Sequence, residues 1–205
     1  MLEIRNLKVY YSSHLALEVP SWEPPAGIYW IHGKNGSGKS TFLKSLAGLI
    51  PYRGDILMRG FSLRKNPEKY LRLVNYSATE PVYPNFLLGR DLIHFFLSAK
   101  EGTQEQVEMM IDGFQMRDFI NHQPISQYSS GMLKKLSLTL ALIGQSQLIL
   151  LDEPFVTLDL DTTAFLQDQI WVRRQQGATI VVAAHTDRFP LEATIVNVES
   201  GKLKF

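Results

Sequence analysis

Residues 31–41 read Ile31-His32-Gly33-Lys34-Asn35-Gly36-Ser37-Gly38-Lys39-Ser40-Thr41. This run matches the pattern G-x-x-x-x-G-K-[ST], with its fixed positions at Gly33, Gly38, Lys39 and Ser40. Residues 27–31 before it are largely apolar and predict a short strand, and residues 40–49 after it carry apolar side chains at helical spacing. A glycine-rich loop of this pattern between a strand and a helix is a P-loop, so the chain is predicted to bind a nucleotide.

The chemistry of such a loop explains its residue types. Glycines let the backbone turn so that successive N–H groups of the segment Gly33, Asn35, Gly36, Ser37 and Gly38 face one concave spot. A helix N-terminus adds its positive dipole end there, and Lys39 adds a full charge. Ser40 is placed to offer its hydroxyl to Mg²⁺, and Thr41 can reach a phosphate oxygen. An ordinary glycine-rich turn is the alternative, and the complete motif between a strand and a helix argues against it.

Composition excludes several other classes of protein. The 205 residues carry 21 Lys+Arg against 20 Asp+Glu, so strong electrostatic capture of nucleic acid is not implied. The absence of cysteine excludes disulfides, cysteine metal sites and thiol chemistry. No stretch has the length and apolar character of a membrane span, and residues 1–5 do not resemble a signal peptide.

The order of the patterns predicts an α/β fold. Residues 2–9 and 15–19 alternate as half-buried strands, and further strands are expected at 55–58, 72–76, 179–184 and, as a closing hairpin, 195–198 and 203–205. Residues 87–126 change to helical spacing, with a capping box from Thr103 to Gln106. We expect a single domain spanning 1–205: a P-loop NTPase core with a parallel sheet, an N-terminal antiparallel β-subdomain, and a helical subdomain inserted at about residues 82–135.

Two adjacent carboxylates follow the most apolar strand. Residues 148–151 form a continuous apolar run typical of a central parallel strand, and Asp152 and Glu153 come directly after it. Ligands of open α/β sheets bind at the carboxyl ends of the strands. This placement favours Asp152 as a Mg²⁺ partner and Glu153 as the base for an attacking water. The alternative is that the two acids only cap the next turn.

Other candidate residues allow two interpretations each. Tyr11, just before the phosphate loop, can stack on a base or be an ordinary tyrosine, and His185, at a strand's carboxyl end, can reach a γ-phosphate or be structural. Residues 127–132 precede a helix predicted at about 133–143, and they are either a second anion site or an ordinary serine N-cap. A further helix is predicted at 161–176, with Phe165, Ile170 and Val172 facing inward.

Taken together, these pieces resemble an ATP-binding-cassette ATPase, the nucleotide-binding subunit of a bacterial transporter, over essentially the whole chain. The matching motifs beyond the P-loop are Ile149 to Pro154 for Walker B, Tyr128-Ser129-Ser130-Gly131-Met132 for the signature, Leu158-Asp159 for the D-loop, Ala184-His185 for the switch histidine, and Tyr11 with Leu15-Ala16-Leu17 for the adenine-stacking A-loop.

The resemblance implies a mechanism in which two such domains pair head to tail on ATP and Mg²⁺. It implies that Lys39, Ser40 and Thr41 bind phosphates and the metal, that Asp152 supports the metal, and that Glu153 polarises the water. It also implies that His185 contacts the γ-phosphate, Ser129 and Gly131 contact ATP across the dimer, and Asp159 is a dimer contact.

The implied partners are a second copy or a similar subunit and a separate transmembrane permease docked near the helical subdomain, at the cytoplasmic face of the membrane. No nucleic-acid partner is expected. One alternative is an ABC-type protein of translation or DNA maintenance, but the chain has neither two cassettes nor a coiled-coil insertion. A second alternative is a P-loop kinase, in which residues 128–132 would have no role.

The chain departs from the family pattern at two positions. Thr79 stands where the family has a glutamine that touches Mg²⁺ and the attacking water, and Ser130 stands where the signature more often has glycine. Threonine is the shorter side chain, so weakened Mg²⁺ sensing is expected, with Glu80 or a water as a substitute. The alternative function is therefore a regulatory ATP-binding module with weak or no hydrolysis, although the presence of Glu153 argues against it.

Overall fold

The computed structural model describes residues 1–185 and 191–204. The strands are β1 Leu2–Tyr11, β2 His14–Trp22, β3 Ile28–His32, β4 Arg53–Met58, β5 Phe61–Ser62, β6 Val74–Ser77, β7 Leu148–Asp152, β8 Thr179–Ala183, β9 Thr194–Glu199 and β10 Lys202–Lys204. The helices are α1 Lys39–Leu46, α2 Pro67–Arg72, α3 Gly89–Ala99, α4 Gln104–Gly113, α5 Arg117–Ile120, α6 Ser130–Leu142 and α7 Leu160–Gln175, with a 3₁₀ turn at Ile125–Gln127.

The strands form one sheet in the order β5-β4-β1-β2-β10-β9-β3-β8-β7-β6. Strands β6, β7, β8, β3 and β9 run parallel, and β5, β4, β1 and β2 are antiparallel. The predicted fold class is confirmed: a P-loop core with a parallel sheet, an N-terminal antiparallel region, and helices between β6 and β7.

The two halves of the sheet are joined by the closing hairpin. Strand β10 pairs antiparallel with β9 and meets β2 in parallel at Lys202 and Glu18. The Glu18 N–H donates to the Gly201 carbonyl at 2.7 Å. Gly201 has a φ of +73°, and a Cβ there would overlap the Ala16 carbonyl, so the hairpin turn can approach β2 only as glycine. The antiparallel strands are thus continuous with the parallel sheet.

The buried strands divide the core into two layers. Along β7, Ile149 and Leu151 pack with helices α3 to α7, whereas Leu148 and Leu150 pack with α1 and the antiparallel strands. Strand β3 alternates in the same way. A strand covered on both faces needs apolar residues at every position, which explains why residues 148–151 are continuously apolar.

Several predicted boundaries were wrong. Helix α1 ends at Leu46 rather than near residue 49, because Gly48 adopts a φ of +72° and closes the helix. Strand β6 begins at Val74 rather than residue 72, because Arg72 belongs to helix α2, which was not predicted although Pro67 at its first turn is a common start signal. Helix α6 begins at Ser130.

The inward face of α7 was also partly mispredicted. Val172 is exposed, and the neighbouring Arg173 is buried instead. The buried face of this helix follows Leu166, Ile170 and Arg173 at helical spacing. The capping box from Thr103 to Gln106 and the closing hairpin are present as expected, although Phe205 lies outside the described residues.

Candidate functional site

The loop after β3 adopts the backbone that its glycines were expected to allow. Gly36 and Gly38 have φ values of +77° and +113°, and Gly38 is the N-cap of α1. Lys39 is buried, and its Nζ donates to the carbonyls of Gly33 at 2.7 Å and Lys34 at 3.2 Å. The lysine therefore closes the loop on itself and holds one positive charge at the helix N-terminus, which is the arrangement that attracts phosphate.

The closing hairpin supports this loop from behind. The Gly201 N–H donates to the Ser37 carbonyl at 3.0 Å, and a Cβ on Gly33 would overlap the Val198 carbonyl. A cavity of about 600 Å³ lies between the loop and the hairpin, bordered by residues 32–37 and 197–200. Lys39, Ser40 and Thr41 do not line this cavity, so it lies beside the predicted phosphate position rather than at it.

Asp152 is the centre of a group of hydroxyls. Ser40 Oγ donates to its Oδ1 at 3.1 Å, the Tyr76 hydroxyl donates to its Oδ2 at 3.4 Å, and the Thr79 side chain lies close enough to the carboxylate to lower its pKa. Burial raises the pKa of Asp152 above its ordinary value, and the nearby side chains of Ser40 and Thr79 oppose that shift. Thr79 therefore lies beside Asp152 although it is shorter than glutamine, and Tyr76 is a contact that the sequence did not predict.

A buried lysine fixes the ends of two neighbouring strands. Lys134 on α6 is only 2% exposed, and its Nζ donates to the carbonyls of Ala78 at 2.9 Å and Asp152 at 2.8 Å. Burial lowers the pKa of Lys134 to about 8. This residue positions the segments that carry Thr79 and Asp152. The sequence analysis missed it, although a lysine beside the apolar run of α6 was an available signal.

Glu153 and His185 form a pair next to Asp152. His185 Nδ1 lies 2.8 Å from Glu153 Oε1. Glu153 has a φ of +47°, and its N–H donates to the Ala183 carbonyl at 2.8 Å. This backbone turn directs the carboxylate towards the end of β8, where the imidazole orients it. A carboxylate held in this way can accept a proton from water.

Tyr11 ends β1 at the edge of the phosphate loop. Its hydroxyl lies 3.4 Å from Thr41 Oγ1, and the side chain is 51% exposed. The ring is thus next to the loop and accessible. This position satisfies the requirement for stacking on a base.

The remaining predicted residues form a second group at the starts of α6 and α7. Ser129 caps α6 by accepting from the Met132 N–H at 3.2 Å, and Asp159 caps α7 by accepting from the Thr162 N–H at 2.8 Å. The hydrogen bonds from the Thr162 N–H and from the Thr162 hydroxyl lower the pKa of Asp159 to about 2. A Cβ on Gly131 would lie 3.5 Å from the Thr157 carbonyl, so the two helix starts approach each other. In the described part of the chain, no hydrogen bond or ion pair joins this group to the P-loop.

The oxygen donors at the loop fit Mg²⁺. The ion commonly uses one or two protein oxygens together with waters and substrate phosphates. Ser40 and Asp152 supply such a pair. Residues 1–185 and 191–204 contain no cluster of three or more His, Asp or Glu side chains arranged to hold a metal alone. Across the same residues, no helix is long and apolar enough to cross a membrane.

Comparison with known proteins gives a consistent result. A family model described as "ABC transporter" matches residues 23–156, which is more than half of the chain. The chain is 29% identical over 187 residues to the lantibiotic transport ATP-binding protein SrtF of Streptococcus pyogenes, covering 90% of this chain and 80% of that protein. It is 26% identical to the cytochrome c biogenesis ATP-binding export protein CcmA of Vibrio cholerae, covering 100% of both.

Solved structures share the fold. A structure titled as the ATP-binding subunit of an ABC transporter matches with a TM-score of 0.89 at 24% identity, covering 100% of this chain and 88% of that one. A dimeric ATP-binding cassette in a post-hydrolysis state, bound to ADP and Pi, matches with a TM-score of 0.81 at 17% identity, covering 100% of this chain and 97% of that one.

Proposed function

The chain belongs to the ABC transporter family, as an ATPase and ATP-binding subunit, and from this premise we propose that it dimerises on ATP and Mg²⁺ and drives a separate membrane permease. One observation carries the proposal. Ser40 of the P-loop bonds to Asp152, and the next residue, Glu153, bonds to His185. Phosphate-binding, metal-binding and water-activating groups are thereby connected at one end of the sheet.

Each residue of this group has a distinct role in the proposal. The loop N–H groups and Lys39 hold the phosphates, Ser40 and Asp152 hold Mg²⁺, and Thr41 contacts a phosphate oxygen. When bound, Mg²⁺ neutralises phosphate charge. Glu153 accepts the proton of the attacking water, and His185 orients that carboxylate and contacts the γ-phosphate.

The neighbouring side chains orient the metal ligand and the base of ATP. The Tyr76 hydroxyl donates to Asp152, and Thr79 lies beside the same carboxylate, so both residues orient it. Tyr11 stacks on the adenine. The large exposed fraction of Tyr11 and its contact with Thr41 support this assignment.

The residues at the starts of α6 and α7 are proposed to act across the dimer interface. Ser129, Gly131 and Asp159 lie at exposed or half-buried helix starts, and no hydrogen bond or ion pair among the described residues joins them to their own P-loop, which leaves them available to a partner's ATP. The partner is a second copy or a similar subunit, in which the same residues complete the site. ATP thus joins two chains, and its hydrolysis releases them.

The permease is proposed to dock beside the helical subdomain at about residues 82–135, which is inserted into the single domain 1–205. Large apolar side chains are exposed there, with Val82 at 90%, Phe86 at 82% and Phe95 at 67%. Large exposed apolar groups mark an interaction surface where they form one contiguous patch. This docking places the chain at the cytoplasmic face of the membrane.

The test is steady-state ATP hydrolysis with Mg²⁺, comparing wild type, Glu153→Gln and the matched control Glu68→Gln. Glu68 is exposed on α2, far along the chain from the site. We expect Glu153→Gln to reduce turnover by about 10²- to 10⁴-fold, as loss of a general base does, while trapping an ATP-bound dimer. Turnover equal to that of the control contradicts the assignment of Glu153. ATP binding without turnover in wild type would instead indicate the regulatory module.

A further inference from the structure

A second polar cavity lies at the end of the sheet opposite the ATP site. Its volume is about 250 Å³. It borders Gln147 and Ala178, which precede β7 and β8, whereas Asp152 and His185 lie at or beyond the other ends of these strands. The side chains that characterise its lining are Arg59, Gln106, Gln145, Gln147, Arg173 and Gln176. No carboxylate from the described residues lines it.

Arg173 is buried at this cavity with no counter-ion among the described residues. It is 5% exposed, and its bonds go to neutral acceptors: Nη1 donates to Gln176 Oε1 at 3.0 Å, and Nη2 donates to the Ser146 carbonyl at 2.8 Å and the Ser146 hydroxyl at 3.2 Å. Its Nε is buried with no hydrogen-bond partner among the described residues, and no carboxylate there lies within ion-pair distance. A buried charge in this state is costly until an anion joins it.

Two glutamine side chains of the lining use their amide oxygens in bonds within the protein. Gln106 Oε1 already accepts from the N–H groups of Thr103 and Gly144, and Gln176 Oε1 accepts from Arg173. The amide NH₂ group of each of these glutamines is therefore the side-chain polar group that can still donate a hydrogen bond to a ligand. Arg59 adds a second guanidinium, which is exposed. Guanidinium and amide donors without a competing carboxylate are the groups that recognise oxyanions.

We propose that this cavity binds inorganic phosphate at a site separate from the P-loop. The volume is below the range of about 300–1,000 Å³ typical of sites for drug-sized ligands, which favours a small ion with water over a nucleotide. The ion occupies the cavity that the Arg59 and Arg173 side chains line. Its lining residues come from α4, the segment before β7 and the end of α7, so the ion links the helical segment to the core.

The experiment measures phosphate binding by calorimetry with inorganic phosphate as the probe and chloride at matched ionic strength as the control. The background is Lys39→Ala, which weakens phosphate binding at the P-loop. In this background we expect one phosphate per chain. Adding Arg59→Gln is expected to weaken binding at least tenfold, and Arg59 is an exposed side chain whose replacement leaves the core unchanged.

A second variant, at the buried arginine, tests the other guanidinium of the cavity. Arg173→Lys retains the charge but removes the forked donor, so phosphate binding should again fall at least tenfold while thermal unfolding without phosphate shows a folded protein. Phosphate binding that is absent in the Lys39→Ala background, or unaffected by both arginine substitutions, overturns the proposal. Neither outcome bears on ATP hydrolysis, so the two proposals fail independently.

Discussion

Replacement of Lys134 by methionine should change how the stability of the protein depends on pH. Lys134 is 2% exposed and donates to the carbonyls of Ala78 and Asp152. Its pKa falls from 10.5 in the unfolded chain to about 8 in the folded protein, chiefly because of burial. Between these values the unfolded chain binds more protons than the folded one, so the free energy of unfolding rises with pH in this window.

The size of the effect follows from the shift. A pKa difference from 10.5 to about 8 corresponds to about 3 kcal/mol, most of which is gained between pH 8 and pH 10. Lys100 has its pKa lowered to about 8 by burial as well, but it is present in both proteins and cancels in the difference. Tyr70 and Tyr76, whose pKa values are raised by burial, favour the folded state below pH 10 and lose that effect above it, so the comparison stops at pH 10.

Urea unfolding at pH 7, 8, 9 and 10 provides the measurement. Wild type should gain roughly 2–3 kcal/mol relative to Lys134→Met between pH 7 and pH 10. The exposed Lys44→Met controls for loss of one positive charge. The variant should also be less stable at every pH, because the carbonyls of Ala78 and Asp152 lose their donor. A stability difference that stays constant from pH 7 to pH 10 refutes the reasoning.

Three further substitutions test other features. Gly54→Ala should lower the free energy of unfolding in urea by at least about 2 kcal/mol, because Gly54 has a φ of +94° and a Cβ there would overlap the backbone of residues 5–6. The control Gly177→Ala, at a φ of +86° in open space, should lower it by only about 1 kcal/mol. Asp159→Ala should cost about 1 kcal/mol through loss of the α7 cap, and Asp159→Asn much less; equal losses would argue against capping. Thr79→Val should raise the Mg²⁺ concentration needed for half-maximal hydrolysis about tenfold, whereas Thr79→Ser should not; an unchanged Mg²⁺ requirement would remove Thr79 from the metal site.

Local patterns were sufficient to predict the framework of the site. The P-loop pattern fixes its own neighbours in sequence, and the apolar run before Asp152 identifies a central strand whose end must lie near that loop. The contact from Ser40 to Asp152 spans 112 positions, yet it follows from these two local signals and the rules of parallel sheets. The serine N-cap of α6 was one of the two readings of residues 127–132, whereas the cap of α7 by Asp159 was not predicted.

The contacts that were missed depend on tertiary placement. Tyr76 reaches Asp152 because β6 pairs in parallel with β7, and Lys134 reaches the Asp152 carbonyl because α6 packs against these strands; no periodicity in either segment specifies these contacts. Arg173 was missed for a related reason: counting apolar residues cannot find an inward position that is filled by a charged side chain. Only the folded structure shows that the guanidinium has neutral acceptors to receive it.

The place of β10 in the sheet has a consequence for biosynthesis. Strands β1 and β2 are made before the other described strands, and their hairpin can form early, but β10, which connects β2 to the rest of the sheet, is made after all of the other described strands. The same hairpin supports the phosphate loop through Gly201 and Ser37. The nascent chain therefore has an unpaired sheet edge and an unsupported P-loop until this segment emerges. A ribosome stalled before residue 201 would present a chain that has the P-loop but lacks the hairpin that supports it.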